Sequence, residues 1–319
     1  MKRAIILMNV GTPNAPTPWG VTSFLFSFLT DKRVISIPAV FRYLLVMLVI
    51  IPLRVHKVVR MYRRLWKNGS SPILSISKEL VKMLNEQSDN CRFYLAMSYS
   101  SPSLDSVLKQ IKSDGLDNVE LLPLYPQYAD STTGVAINAF EHKTRKYGLK
   151  TKVLYDKFCD TEVFKSLLAV QISKYDIQNY DHVLVLFHSL PLSQIDSRCN
   201  QNEEHDRSKC YKCQCEETFA DIAQILDHHD NISCSMAYQS AMGKKWLQPF
   251  ASEEIRGLAK EKQNLLVIAP SFYIDCLETL IEIDETYRQL FLQNGGKSFT
   301  FIPSPNASKE SVEMILQTL

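Results

Sequence analysis

From Val183 to Phe187 the chain is unbroken apolar and of strand length, and it stops abruptly at His188-Ser189-Leu190-Pro191. Apolar residues that do not alternate need cover on both faces, which is the condition of a parallel strand lying between layers of helices. Such a strand delivers the polar residue at its end to the carboxyl edge of the sheet, where α/β folds open their ligand crevices. His188 is therefore the first catalytic candidate. A histidine in this position more often satisfies a loop hydrogen bond than does chemistry, so its candidacy depends on other segments converging on the same edge.

The rest of the chain repeats that rhythm. Strands are expected at 3–10, 91–97, 118–124 and 150–155, then at 182–188, 232–237, 265–269 and 298–303. Helices are expected between them at 20–29, 41–66, 73–87, 103–113, 135–147, 162–174, 216–228, 253–262, 277–294 and 308–319. Strands alternating with helices predict parallel sheets covered on both faces. The expected fold is α/β: two Rossmann-like domains, each a parallel four-stranded sheet flanked by helices, with the active-site cleft between them. Residues 1–155 form the first domain, joined by the terminal helix 305–319, and 156–304 form the second. No residue-level repeat accompanies this duplication of elements.

With 319 residues, 45% of them hydrophobic, two folded domains with sizeable cores are expected. Lys plus Arg (36) nearly balances Asp plus Glu (34), so there is no strongly basic face of the kind nucleic acid requires. The start Met1-Lys2-Arg3-Ala4-Ile5-Ile6 is basic then apolar but too short for a signal peptide, so a cytoplasmic protein is expected. The most apolar segment is 41–53. Bounded by Pro38 and Arg42 on one side and Pro52 and Arg54 on the other, its uncharged run falls short of the roughly 20 residues of a membrane span. By default it is a buried helix. Its alternative is an apolar lip dipping into a bilayer as a peripheral contact, with Arg54, Lys57, Arg60, Arg63 and Arg64 behind it for anionic lipid.

A second focus follows the strand at 265–269. Asp275, Glu278, Glu282 and Glu285 are spaced by three, four and three residues, so on a helix they line one face, with no basic residue before Arg288. Such a face is usually solvated. This one begins at a strand's carboxyl end, the rim on which His188 sits if both strands share a sheet. A histidine opposite a file of carboxylates can receive a divalent cation and accept protons.

Taken together the motifs resemble those of the ferrochelatase family, in order and over almost the whole chain. They are Asn9-Val10-Gly11-Thr12-Pro13, Gly69-Ser70-Ser71-Pro72, Met97-Ser98-Tyr99-Ser100-Ser101-Pro102-Ser103, Leu122-Pro123-Leu124-Tyr125-Pro126-Gln127-Tyr128, His188-Ser189-Leu190-Pro191, Tyr238-Gln239-Ser240, Trp246-Leu247-Gln248-Pro249 and Asp275-Cys276-Leu277-Glu278-Thr279-Leu280. The resemblance implies insertion of ferrous iron into protoporphyrin IX in haem biosynthesis, with Fe2+ as substrate. It further implies that His188 and Glu278 face each other across the macrocycle, with Glu282 continuing the acidic file on a helix that can carry a π-type turn, and that Pro13, Tyr125, Tyr128, Ser131 and Thr132 contact the porphyrin. Two positions depart from the pattern. Ala241 stands where an arginine commonly follows Gln-Ser, and Thr286 stands where the file extends in relatives, leaving Glu285 or Asp284 as substitutes. A chelatase using coproporphyrin or cobalt, and a carrier that keeps the cleft without chemistry, are the competing readings.

Of eight cysteines, Cys199, Cys210, Cys213 and Cys215 fall within seventeen residues, in an insertion at 195–215. A tetrathiolate site accepts zinc or an iron–sulfur cluster. Some bacterial ferrochelatases carry a two-iron two-sulfur cluster in a similar arrangement, and the resemblance favours that cluster over zinc. Nearby His205 is an alternate ligand, read first as a surface residue.

Overall fold

The structure is a computed structural model that describes residues 3–201, 203–227 and 232–319. Eight strands fall into two four-stranded sheets. β1 (Arg3–Asn9), β2 (Cys91–Met97), β3 (Asn118–Pro123) and β4 (Lys150–Val153) are ordered β2-β1-β3-β4. β5 (His182–His188), β6 (Ser233–Gln239), β7 (Asn264–Ile268) and β8 (Ser298–Ile302) are ordered β6-β5-β7-β8. Every pairing is parallel. The same order in both halves is the expected duplication of elements.

The two central strands are sealed on both faces. Ala4 to Leu7 and Val183 to Phe187 are all fully buried, which is why they read as runs rather than alternations. Each large aliphatic side chain among them contributes about 1.5–3 kcal/mol by burial. The covering helices begin where their caps dictate. Ser103, Thr161 and Ser308 accept the N–H groups of Ser106, Phe164 and Ser311, opening the helices Leu104–Ser113, Glu162–Ser173 and Lys309–Gln317.

The principal core is continuous between the halves. Ile5, Leu7, Phe93 and Leu122 belong to the same cluster as Val183, Val185, Phe187, Leu266 and Tyr273. Val312, Met314 and Ile315 of the terminal helix also lie in it, and that helix packs on Pro72–Gln87 of the first half and Glu162–Ser173 of the second. Separate clusters line the outer faces, around Ile6, Leu108 and Phe140 in one half and Leu186, Ile255 and Phe299 in the other.

Two expectations change. The apolar segment is not a buried helix: 39–65 is one continuous helix with a π turn at Val46–Ile50, and Phe41, Leu44, Leu48 and Leu53 are 66%, 50%, 69% and 78% exposed. It attaches chiefly through Val46, Ile51, Val55, Val59, Tyr62 and Leu65, and Arg42 folds inward to donate to the Ile37 carbonyl at 2.8 Å. The helix expected at 216–228 starts five residues earlier, at Tyr211, and runs to Leu226, while His228 lies outside the described residues.

At the start of β5, His182 is buried between two hydroxyls, with Nδ1 2.6 Å from Ser233 Oγ and Nε2 2.9 Å from Ser235 Oγ. Burial, helped by the charge of Lys262, pushes its pKa down to about 4. The unfolded chain takes up this proton near pH 6.5, whereas the folded one resists until about 4. Stability is therefore present above pH 6.5 and lost as pH falls towards 4. Urea unfolding at pH 7 and pH 5 should show wild type losing about 2 kcal/mol more than His182→Gln. Equal losses would contradict this assignment.

Candidate active site and cysteine cluster

In each sheet the order reverses at the central pair, β1 with β3 and β5 with β7. The carboxyl ends at such a switch point splay their following loops apart and leave a crevice. His188 ends β5, and the loop after β7 leads to Glu278. On the other sheet, Gly11-Thr12-Pro13 leaves β1, and the stretch from Tyr125 to Thr132 follows β3.

His188 is half-buried beside Phe272, ring centroids 6.3 Å apart. Its Nδ1 is 2.6 Å from the Ser189 carbonyl, which can only accept, so Nδ1 carries the proton and Nε2 keeps a free lone pair. The strand end is held firmly. The Tyr211 hydroxyl donates to the His188 carbonyl at 2.8 Å, and Ser189 donates its N–H to the Gln239 carbonyl and its hydroxyl to the Leu247 carbonyl.

The acidic file is shorter than its spacing predicts. Asp275 precedes the helix, so helical offsets do not apply to it. Its buried carboxylate accepts from the Ser304 N–H and the Asn306 amide. Residues Glu278–Tyr287 then form a π-helix, in which residue i+5 rather than i+4 stacks on residue i. Tyr287 accordingly donates to Glu282 at 2.8 Å, and Thr286 turns back to the Ile281 carbonyl. Glu282 also accepts from the Ser240 N–H at 2.9 Å and from its hydroxyl. Ser240 holds a left-handed φ of +62°, a conformation that costs a non-glycine residue on the order of 1 kcal/mol. Of the proposed substitutes for Thr286, Glu285 pairs with Arg64 and Asp284 with Arg288, so neither joins Glu278.

Glu278 itself is half-buried and forms no ion pair among the described residues. Its neighbours are the Tyr62 hydroxyl and the Cys276 thiol, whose pKa values burial drives far up, with the Glu278 charge adding to the effect. Tyr62 comes from the first half, and Leu277 packs into the cluster that contains it. The halves thus meet beside Glu278. They are tied again where Gln194 donates to the Arg33 and Val34 carbonyls.

On the opposite rim, Gly11 has φ +106°, and a Cβ there would lie 2.4 Å from Ser100 Oγ, the atom that accepts the Thr12 N–H. This close approach excludes a side chain at Gly11 and fixes the loop in which Pro13 is buried. Tyr125, Tyr128 and Thr132 are half-buried and Ser131 is buried, the last two in a π turn at Asp130–Gly134. Gln127 donates to Thr218, and the Tyr128 N–H donates to Gln214 at 2.7 Å, which fastens this rim to the helix Tyr211–Leu226.

The cysteines do not assemble as a set of four. The donor atoms of Cys199, His205, Cys210 and Cys213 all lie within 4.8 Å of one another, and Cys215 stands apart. Because the helix begins at Tyr211, Cys213 and Cys215 are two residues apart on a helix and face different ways. Cys215 is fully buried near Tyr211 and Cys159, and burial raises its thiol pKa well above the ordinary value. Tyr211, Ser240, Tyr287 and Gln214 were not singled out by the sequence, although Ser240 lies in a motif quoted above. A further buried group, the Tyr238 hydroxyl, has no hydrogen-bond partner among the described residues and lies within charge range of Cys215, Cys199 and Cys210. The insertion thus contains a cysteine-rich group able to hold a metal ion, with His205 among the four donor residues that lie closest together.

Solved structures with the same fold include SirB from Bacillus subtilis with Fe3+, TM-score 0.54 and 10% identity, covering 100% of this chain and 96% of that one. CbiX, described as the terminal enzyme for siroheme biosynthesis in denitrifying bacteria, gives TM-score 0.51 and 13% identity, covering 99% and 97%. Sequence relatives carry the argument further. The ferrochelatase of Haemophilus influenzae (strain PittEE) is 33% identical over 321 residues, 98% of this chain and 96% of the relative. That of Francisella tularensis subsp. novicida (strain U112) is 31% identical over 323 residues, 98% and 94%. A model of the ferrochelatase family matches residues 2–319. With two parallel sheets in a chelatase fold and this match over nearly its whole length, the chain belongs to the ferrochelatase family, the porphyrin metal chelatases that insert iron in haem biosynthesis.

Proposed function

We propose that the porphyrin is protoporphyrin IX, and that His188 and Glu278 together carry the metallation. The observation that supports this most is the state of the two groups at the β5/β7 switch point: among the described residues, a histidine with a free Nε2 and a carboxylate with no cation partner. Inserting Fe2+ into a free-base porphyrin releases two pyrrole protons. His188 Nε2 takes the first, and Glu278 assists with the second and with delivery of the ion. Glu282 already accepts three hydrogen bonds, leaving about one of its roughly four acceptor positions for a passing cation. Pro13, Tyr125, Tyr128, Ser131 and Thr132 supply the wall against which the ring lies. A rigid cleft that binds the bent ring better than the flat one lowers the barrier to metal entry.

The exposed helix supports the choice of protoporphyrin, the less polar substrate. Trp19, Phe41, Leu44, Leu48 and Leu53 form an apolar lip, with exposed Arg54, Lys57, Arg60 and Arg63 behind it. This lip dips into the cytoplasmic face of a membrane, and each basic residue near an anionic surface adds about 1 kcal/mol. Although 39–65 is long and apolar enough to cross a bilayer, with mean hydropathy 1.8, its anchoring through Val46 to Tyr62 favours a peripheral contact. Leu48→Glu should weaken binding to phosphatidylserine vesicles about tenfold and leave turnover of detergent-solubilised porphyrin unchanged. Indifference of the wild-type protein to such vesicles removes the membrane contact.

The substrate is tested with purified protein, anaerobic Fe2+ and either protoporphyrin or coproporphyrin, following loss of porphyrin fluorescence. Faster loss with protoporphyrin is expected. A preference for coproporphyrin, or for Co2+ over Fe2+, points to a sister chelatase, and tight binding without loss points to a carrier.

A further inference from the structure

We infer that the helix Tyr211–Leu226 is a spacer that sets the width of the cleft, with Tyr211 and Gln214 as positioning residues for the two walls between which the macrocycle lies. Tyr211, Gln214 and Thr218 are offset by three and four residues, so they share one face of the helix, and all three are buried. A buried helix face is ordinarily apolar. Here each of the three side chains bonds to a wall instead. The Tyr211 hydroxyl donates to the His188 carbonyl at 2.8 Å and lies 3.4 Å from the hydroxyl of Ser271, in the loop that leads to Glu278. Gln214 accepts the Tyr128 N–H at 2.7 Å, and Thr218 accepts the Gln127 amide at 3.1 Å. The His188 wall is thus fixed to the first turn of the helix, and the Tyr128 wall to the same turn and the next.

The partners of each amide fix which way it points. The Tyr128 N–H can only donate, and the Ser208 carbonyl, 2.9 Å from Gln214 Nε2, can only accept, so a flipped Gln214 would lose both bonds. Thr218 already donates its hydroxyl to the Gln214 carbonyl at 2.8 Å, so the group that Gln127 turns towards it is the NH2. Apolar packing has no preferred direction, whereas a hydrogen bond holds its heavy atoms within about 0.5 Å of one separation. Tyr211 and Gln214 stand one turn apart, so a rigid length of about 5 Å of helix holds His188 and Tyr128 in register. Binding a bent ring better than a flat one requires walls at a fixed spacing, and these bonds supply it. The assignment rests on the proposed placement of the ring between His188 and the wall from Tyr125 to Thr132.

The test compares, on the full-length protein, the affinity for a flat free-base porphyrin with that for its N-methyl derivative, whose ring is permanently bent. Fluorescence quenching reads the binding, and anaerobic iron insertion reads the turnover. Wild type should bind the bent ring at least about 100-fold more tightly. Gln214→Leu keeps the bulk and removes both amide bonds, and Tyr211→Phe removes one hydroxyl. In each the preference should fall about tenfold and kcat with it, while KM for the flat porphyrin stays within about threefold. Gln214→Glu, which restores an acceptor for the Tyr128 N–H, should recover most of the preference. Leu108→Ala, a core truncation in the outer cluster of the first half, should lower the melting temperature and leave the preference unchanged. An unchanged preference in either Gln214→Leu or Tyr211→Phe, or an equal fall in Leu108→Ala, would overturn the assignment, and Tyr211→Phe decides alone if Gln214→Leu fails to fold. Wild type binding both rings equally would instead overturn the placement of the ring, and this assignment with it.

Discussion

His188→Ala is expected to bind porphyrin and to insert iron about 10²- to 10⁴-fold more slowly, the range contributed by one positioned acid–base group. Among the described residues the ring has no hydrogen bond beyond the one from Nδ1 to the adjacent carbonyl, and β5 is held at this end by its backbone and by Ser189. Truncation should therefore leave the fold intact and remove only the Nε2 lone pair. Anaerobic turnover followed by porphyrin fluorescence, with binding measured separately by quenching, distinguishes a loss in kcat from a loss in affinity. An undiminished rate would sink the proposed role of this histidine.

Glu278→Gln should lower kcat about 10²-fold, with porphyrin affinity within a few-fold of wild type. Glutamine keeps the shape of the side chain but can neither take a proton nor neutralise an arriving cation. Among the described residues the neighbouring carboxylates are already engaged, Asp275 by Ser304 and Asn306, and Glu282 largely by Ser240 and Tyr287. Glu285→Gln is the control. It removes the partly exposed pair with Arg64, worth about 0–1 kcal/mol of stability, and turnover should stay within twofold. If Glu285→Gln loses as much rate as Glu278→Gln, the iron route runs along the outer helix instead.

The strands were the most legible part of the sequence, because residues buried on both faces must be apolar at every position. Val183 to Phe187 and Ala4 to Leu7 left no alternative period. Helix starts in polar sequence were harder. Tyr211-Lys212-Cys213-Gln214-Cys215 has no apolar stripe, and nothing in it shows that the helix starts at Tyr211 and turns Cys213 and Cys215 in different directions. The acidic file was misread for a related reason, since a spacing rule for α-helices was applied to a π-helix and to a residue before it. The sequence also states that 41–53 is apolar without stating what covers it. Ser240, a serine in the left-handed region, gives no local signal at all, because its conformation is imposed by the carboxylate of Glu282 forty-two residues away.

The core shared by the two sheets sets how a macrocycle can enter. Enzymes that clamp their substrate by swinging two lobes about a hinge need an interface that parts at little cost. Here parting the halves would expose Leu7, Leu122, Phe187 and Tyr273 at once, so a hinge is closed off as a route of admission. Admission is left to the rim, where the 39–65 helix carries its apolar face outward. The cleft is thus less a jaw than a slot, and turnover should tolerate a crosslink between the sheets.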